Sequence, residues 1–110
     1  MTRPVELEGK TAKVKTGSCG NLYITVNLND GKPYEVLARL GKAGGCATCQ
    51  NEALTRSITL GLKNGIPVKE YVDELRGLQC PGPFMFPKEE RVLSCPDGIA
   101  KVLERYCATT

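Results

Sequence analysis

Two alternating runs restrict the fold most. Leu22, Ile24, Val26 and Leu28 interleave with Tyr23, Thr25 and Asn27, and Tyr34, Val36, Ala38 and Leu40 alternate again after Asn29-Asp30-Gly31-Lys32-Pro33. Successive side chains of a strand point to opposite faces, so period two with one apolar set describes a half-buried strand. The segment between the runs reads as a turn in which Gly31 is free to take positive φ. The two runs therefore predict a hairpin. Thr11 to Thr16, with Ala12 and Val14 on one face, predicts a further strand that extends it into an antiparallel meander.

After residue 40 the apolar period changes. Gly41-Lys42-Ala43-Gly44-Gly45 reads as a glycine-rich loop that ends at Cys46, and a helix is expected from about Gln50 to Lys63, with Leu54, Ile58, Gly61 and Leu62 near one stripe. Gly65 fits the left-handed position after a helix, and Pro67 the first turn of the next. Val68, Tyr71, Val72 and Leu75 keep the helical period until Gly77. Ser94 and Asp97 form a Ser-x-x-Asp capping box for the last helix. Ile99, Val102, Leu103 and Tyr106 there stand at i, i+3, i+4 and i+7.

Three strands followed by three helices predict an α+β fold, a small antiparallel three-stranded sheet with the helices packed on one face. Residues 1–10 read as a loose lead-in and 11–110 as a single domain, consistent with a length of 110. Apolar residues make up 41% and charged residues 25%, which excludes a disordered chain. No apolar run reaches the roughly 20 residues that a membrane span requires, and the polar stretch Met1 to Lys10 does not resemble a signal peptide. A cytoplasmic chain is expected. The formal net charge of +3 is compatible with a nucleotide or nucleic-acid partner without requiring one.

Six cysteines and no histidine set the chemistry. Cytosolic thiols are kept reduced, so this density points to metal or redox chemistry. Without histidine, Ser-His and Cys-His nucleophiles are excluded. Any transition-metal site is then limited to thiolate and carboxylate ligands, a set that suits zinc or iron–sulfur. Cys19 falls in the turn between strands one and two, Cys46 just before helix one, Cys80 after helix two and Cys95 at the start of helix three. All four sit at element boundaries, where separate chain segments can converge, rather than on a buried stripe. Cys46, Cys49 and Cys95 stand at helix N-termini, whose free N–H groups stabilise a thiolate. Cys46-Ala47-Thr48-Cys49 is one C-x-x-C, with no second to make a zinc-ribbon pair. Scattered free thiols and a redox dithiol therefore remain alternatives.

Gly45-Cys46, Leu78-Gln79-Cys80 and Ser94-Cys95-Pro96-Asp97 resemble the motifs of the TSCPD domain. The longer stretches Thr16-Gly17-Ser18-Cys19-Gly20-Asn21-Leu22-Tyr23 and Leu40-Gly41-Lys42-Ala43-Gly44-Gly45-Cys46 look like the form of that domain found at the C-terminus of adenosylcobalamin-dependent ribonucleotide reductases. The likeness covers about residues 11–107, with Leu93 where the name of the domain has Thr. It implies a metal site on Cys19, Cys46, Cys80 and Cys95, and leaves Cys49 and Cys107 without a family counterpart. A more distant likeness is to U-type iron–sulfur scaffold proteins, through Cys19-Gly20-Asn21, Gly45-Cys46 and Cys95. Those scaffolds carry Asp where this chain has Asn21, and a His beside the last Cys where this chain has none.

The resemblance does not imply an enzyme, because the reductase's catalytic barrel has no room in 110 residues. The function expected is a zinc-binding accessory or interaction module related to ribonucleotide reductase, contacting the reductase large chain, or nucleotide or nucleic acid. The alternatives are an iron–sulfur or sulfur carrier, and a dithiol electron donor using Cys46 and Cys49 or Cys107. Other features have simpler readings. Lys42 is a solvated lysine more readily than a phosphate contact. Lys10, Lys13 and Lys15 form a wet strand face. Phe84 and Phe86 pack on the body or form an interface, through which a homodimer could assemble. Asp97 is a helix cap rather than a general acid.

Overall fold

The computed structural model describes residues 3–17, 20–41, 45–81, 83 and 91–107. The expected Phe84–Phe86 packing, the Lys42 loop and Cys19 itself lie outside them. The element order is β1 (Glu8–Lys15), β2 (Asn21–Asn29), β3 (Lys32–Leu40), α1 (Gly45–Lys63), α2 (Val68–Leu75) and α3 (Cys95–Glu104). This is the α+β arrangement that the alternation predicts. β1 starts at Glu8, three residues before the expected Thr11.

The sheet order is β1-β2-β3, both pairs antiparallel. Asn29 pairs with Lys32 across a two-residue loop whose members both have positive φ, Asp30 at 54° and Gly31 at 78°. That is the primed turn whose twist matches a hairpin. A bulge follows at Asn27/Leu28, and Pro33 is accepted because β3 is an edge strand.

One face of the sheet carries Leu22, Ile24, Val26, Val36 and Leu40, all buried against Ile58 of α1, Val68 and Val72 of α2, and Ile99, Val102 and Leu103 of α3. Burial of such side chains is the main favourable term, on the order of 1.5–3 kcal/mol each. The opposite face is polar or half-exposed, with a cross-strand Thr11–Thr25 hydroxyl pair at 2.6 Å. α1 packs chiefly on β3, α2 on α3, and α3 on β2 and β1. Among the described residues no helix is long and apolar enough to cross a membrane.

Both ends of the α1–α2 connection follow from backbone chemistry. Gly65 at φ 91° lets its own N–H reach Leu62 C=O (3.2 Å) while Ile66 N–H reaches Gly61 C=O (3.0 Å), which satisfies the last carbonyls of α1. Pro67 is extended and stands one residue before α2 rather than inside its first turn. Proline offers no side-chain acceptor there, and Glu70 N–H instead donates to Pro67 C=O at 3.1 Å.

α1 also closes the β3 edge. Val36 N–H donates to Thr59 Oγ1 at 3.0 Å, and the same hydroxyl donates to Val36 C=O at 3.2 Å. A hydroxyl can do both at once. Thr59→Val keeps the shape and removes both bonds, and is expected to cost about 1 kcal/mol. Thr59→Ser should retain most of that stability. Urea unfolding midpoints of the two variants check this.

Candidate metal centre

Described segments next to the candidate ligands approach one another pairwise at one end of the sheet. The β1–β2 connection is tied across its neck. Thr16 N–H and Thr16 Oγ1 both donate to Gly20 C=O at 2.8 Å, and Gly20 N–H returns to Gly17 C=O at 3.0 Å. Gly20 has φ 82°, a conformation glycine adopts without strain, so the tight loop that bears Cys19 can form. Leu40 pairs with Leu22, and Gly41 N–H donates to Asn21 C=O at 2.9 Å. The loop leading to Cys46 therefore leaves the sheet beside the Cys19 turn.

Cys80 and Cys95 come together through a second set of bonds. Cys80 N–H donates to Leu93 C=O (2.9 Å), and Ser94 Oγ donates to Leu78 C=O (2.6 Å). Residues 78–80 thus run alongside 93–95. The first turns of α3 then press on the end of β1. A Cβ built on Gly98 would stand 3.2 Å from Val14 Cγ2 and Val92 Cγ1 and 4.0 Å from Thr16 Cγ2.

The individual thiols differ in setting. Cys95 is buried and belongs to the core cluster, Cys80 is half-buried, and Cys46 and Cys49 are exposed. Among the described residues no cysteine is in a disulfide, and no three possible ligands are gathered closely enough to hold a metal. The helix boundary also changes the reading of the C-x-x-C. α1 begins at Gly45, five residues earlier than expected, because the glycine run ends there at a positive-φ residue and nothing from Cys46 onward breaks a helix. Cys46 keeps a first-turn position with a free N–H, whereas Cys49 is the fifth residue of α1, beyond it.

Asp97 does more than its motif announces. Ser94 caps α3 as predicted, its Oγ accepting from Asp97 N–H at 3.1 Å. The Asp97 carboxylate, fully buried, reaches further than a capping box requires. It accepts from Gly77 N–H (2.8 Å) and Leu93 N–H (2.9 Å) and pairs with Lys101 Nζ at 3.0 Å. Burial pushes its pKa up, but the Leu93 and Gly77 N–H groups and Lys101 outweigh that and hold it below the ordinary carboxylate value. One side chain thereby ties the end of α2, the segment before α3 and α3 itself, on both sides of Cys80 and Cys95. The sequence shows the local cap; the long-range partners arise only from the packing.

A hollow of about 870 Å³ lies between α1 and β3, lined by Thr25, Leu37, Arg39, Thr55 and Thr59 among others, with no cysteine among its described lining residues. The donor types, thiols without imidazole, suit zinc or iron–sulfur, while the described thiols Cys46, Cys80 and Cys95 are not gathered into one ligand group.

The fold defines a small α+β domain, a three-stranded antiparallel sheet followed by three helices. The chain belongs to the TSCPD domain family, whose model matches residues 1–107. No curated protein and no solved structure matches it.

Proposed function

We propose that this chain is a four-thiolate metal-binding domain, with zinc as the preferred ion, that serves as an accessory or interaction module alongside ribonucleotide reductase rather than as a catalyst. Cys19, Cys46, Cys80 and Cys95 are the ligands. The observation that supports this reading is the set of pairwise approaches of Gly41 to Asn21, of residues 78–80 to 93–94, and of Gly98 in α3 to Val14 and Thr16. Family membership supports it. Zinc supplies no redox chemistry; bound here it would cross-link the sheet to both helix ends and add to folding stability.

A second reading has its own support. Cys46 and Cys49 are both exposed on α1, three residues apart and on neighbouring positions of the helix surface. A dithiol electron donor needs such accessible thiols.

Metal content and the visible spectrum of protein purified without oxygen separate these readings. About one zinc per chain is expected, lost in Cys80→Ser and kept in Cys49→Ser. Visible absorption would instead assign an iron–sulfur carrier. Metal-free protein throughout, with reductase-coupled activity abolished by Cys49→Ser, would replace the metal reading with the dithiol.

A further inference from the structure

A second concavity, about 360 Å³, has no cysteine among its described lining residues. It is lined by Lys13, Val14, Lys15, Arg91, Val92, Lys101 and Arg105. Five of these seven described residues are cationic and none is a carboxylate. The cations come from three places in the chain: β1, the segment just before α3, and the last turn and C-cap of α3.

Ordinary structural roles account for only part of this. The α3 C-terminal dipole favours Lys101 and Arg105. It does not explain why Lys13 and Arg91 line the same hollow, where like charges raise one another's free energy. The nearby carboxylate, Asp97, is already engaged by Lys101, whose Nζ also donates to Arg91 C=O. Arg91 Nε is enclosed by protein and has no hydrogen-bond partner among the described residues. A buried donor left in that state costs free energy until an acceptor is supplied.

We propose that this concavity binds a compact polyphosphate anion, of the kind carried by a nucleoside triphosphate. The inference goes beyond the metal-centre reading and does not depend on it, since no cysteine lines the pocket. Arginine forks and lysine ammonium groups are the side chains that hold phosphate oxygens. Their convergence on one small concavity matches several charges on neighbouring phosphorus atoms. A nucleic-acid backbone spreads its charges along a line and is met by an extended basic stripe, and single strands add stacking on aromatic rings. No aromatic residue is among the described lining residues. From sequence alone, Lys13 and Lys15 read as a wet strand face, because only the packing of α3 brings Arg105 and Arg91 beside them.

The test is calorimetric titration of the full chain at low salt with inorganic tripolyphosphate, a nucleoside triphosphate, the bare nucleoside and a single-stranded oligonucleotide. Metal content is measured before and after each titration, so that loss of metal to the polyphosphate is not read as binding. Tripolyphosphate and the triphosphate should bind and the nucleoside should not. Lys13→Glu and Arg105→Glu should each weaken binding by about tenfold or more, as loss of a charge-assisted contact does. Lys32→Glu, exposed at the far turn of the β2–β3 hairpin, makes the same change in net charge and should leave the affinity nearly unchanged. Thermal melts of the three variants establish that each is folded. Equal weakening by Lys32→Glu, tighter binding of the oligonucleotide than of tripolyphosphate, or no binding of either polyphosphate would overturn the proposal.

Discussion

An Asp97→Ala variant is expected to lose about 2–4 kcal/mol of folding stability, because it leaves buried polar groups without partners. Gly77 N–H and Leu93 N–H would lose their acceptor and Lys101 its counter-charge. Asp97→Asn keeps the volume but offers one acceptor and turns its amide donors toward groups that are themselves donors, so it should recover only part of the loss. The acid limb of stability supplies a second readout. A carboxylate whose folded pKa lies below its unfolded value, about 3.9, contributes stability that is present above that value. The contribution disappears as pH falls through the folded pKa. The wild-type chain should lose stability in that window, and Asp97→Asn should show a flatter profile there. Urea unfolding across a pH series measures both effects. A wild-type-like midpoint for Asp97→Ala would mean that the carboxylate is not the tie described here.

Leu103→Ala is expected to cost about 2–5 kcal/mol, the range for a leucine removed from a core that cannot collapse onto the gap. Leu103 is fully buried on α3, in one cluster with residues from the sheet and all three helices. Leu103→Met conserves volume and should cost less than about 1.5 kcal/mol. Leu60→Ala, at a side chain that is 65% exposed, should stay within about 0.5 kcal/mol of wild type. Denaturant midpoints order the three. The two largest effects also separate by mechanism: Leu103→Ala opens a gap in the core, whereas Asp97→Ala loosens the segments that carry Cys80 and Cys95.

The parts of this structure that were legible in the sequence are those whose cause is local. The alternation at Leu22–Leu28 and Tyr34–Leu40, the Ile99-Val102-Leu103 stripe, the Ser94 cap and the left-handed Gly65 each follow from a few neighbouring residues, and each appears in the fold. α1 starts five residues before the sequence suggests, because glycine run and helix N-terminus overlap and a single positive-φ glycine suffices to end the loop. Contacts made at a distance were not legible. Nothing near Asp97 announces Gly77, twenty residues away, and nothing near Thr59 announces Val36. The candidate site lies between these cases. Its cysteines stood out by position at element boundaries, while the bonds that bring Cys80 beside Cys95 belong to the tertiary packing.

The Thr59 contact has a meaning for life in a crowded solution. A three-stranded sheet offers two rows of backbone groups on which a foreign strand, or a second unfolding copy, could grow. On the β3 side, α1 lies along the strand and its hydroxyl occupies the Val36 groups such an intruder would need. On the β1 side, Lys10, Lys13 and Lys15 place positive charge along the strand, so that two like copies approaching edge to edge repel. The chain is thus guarded against fibrous self-assembly by sterics on one flank and by charge on the other. A partner that recruits it by adding a strand would have to do so at β1, and to bring acidic side chains with it.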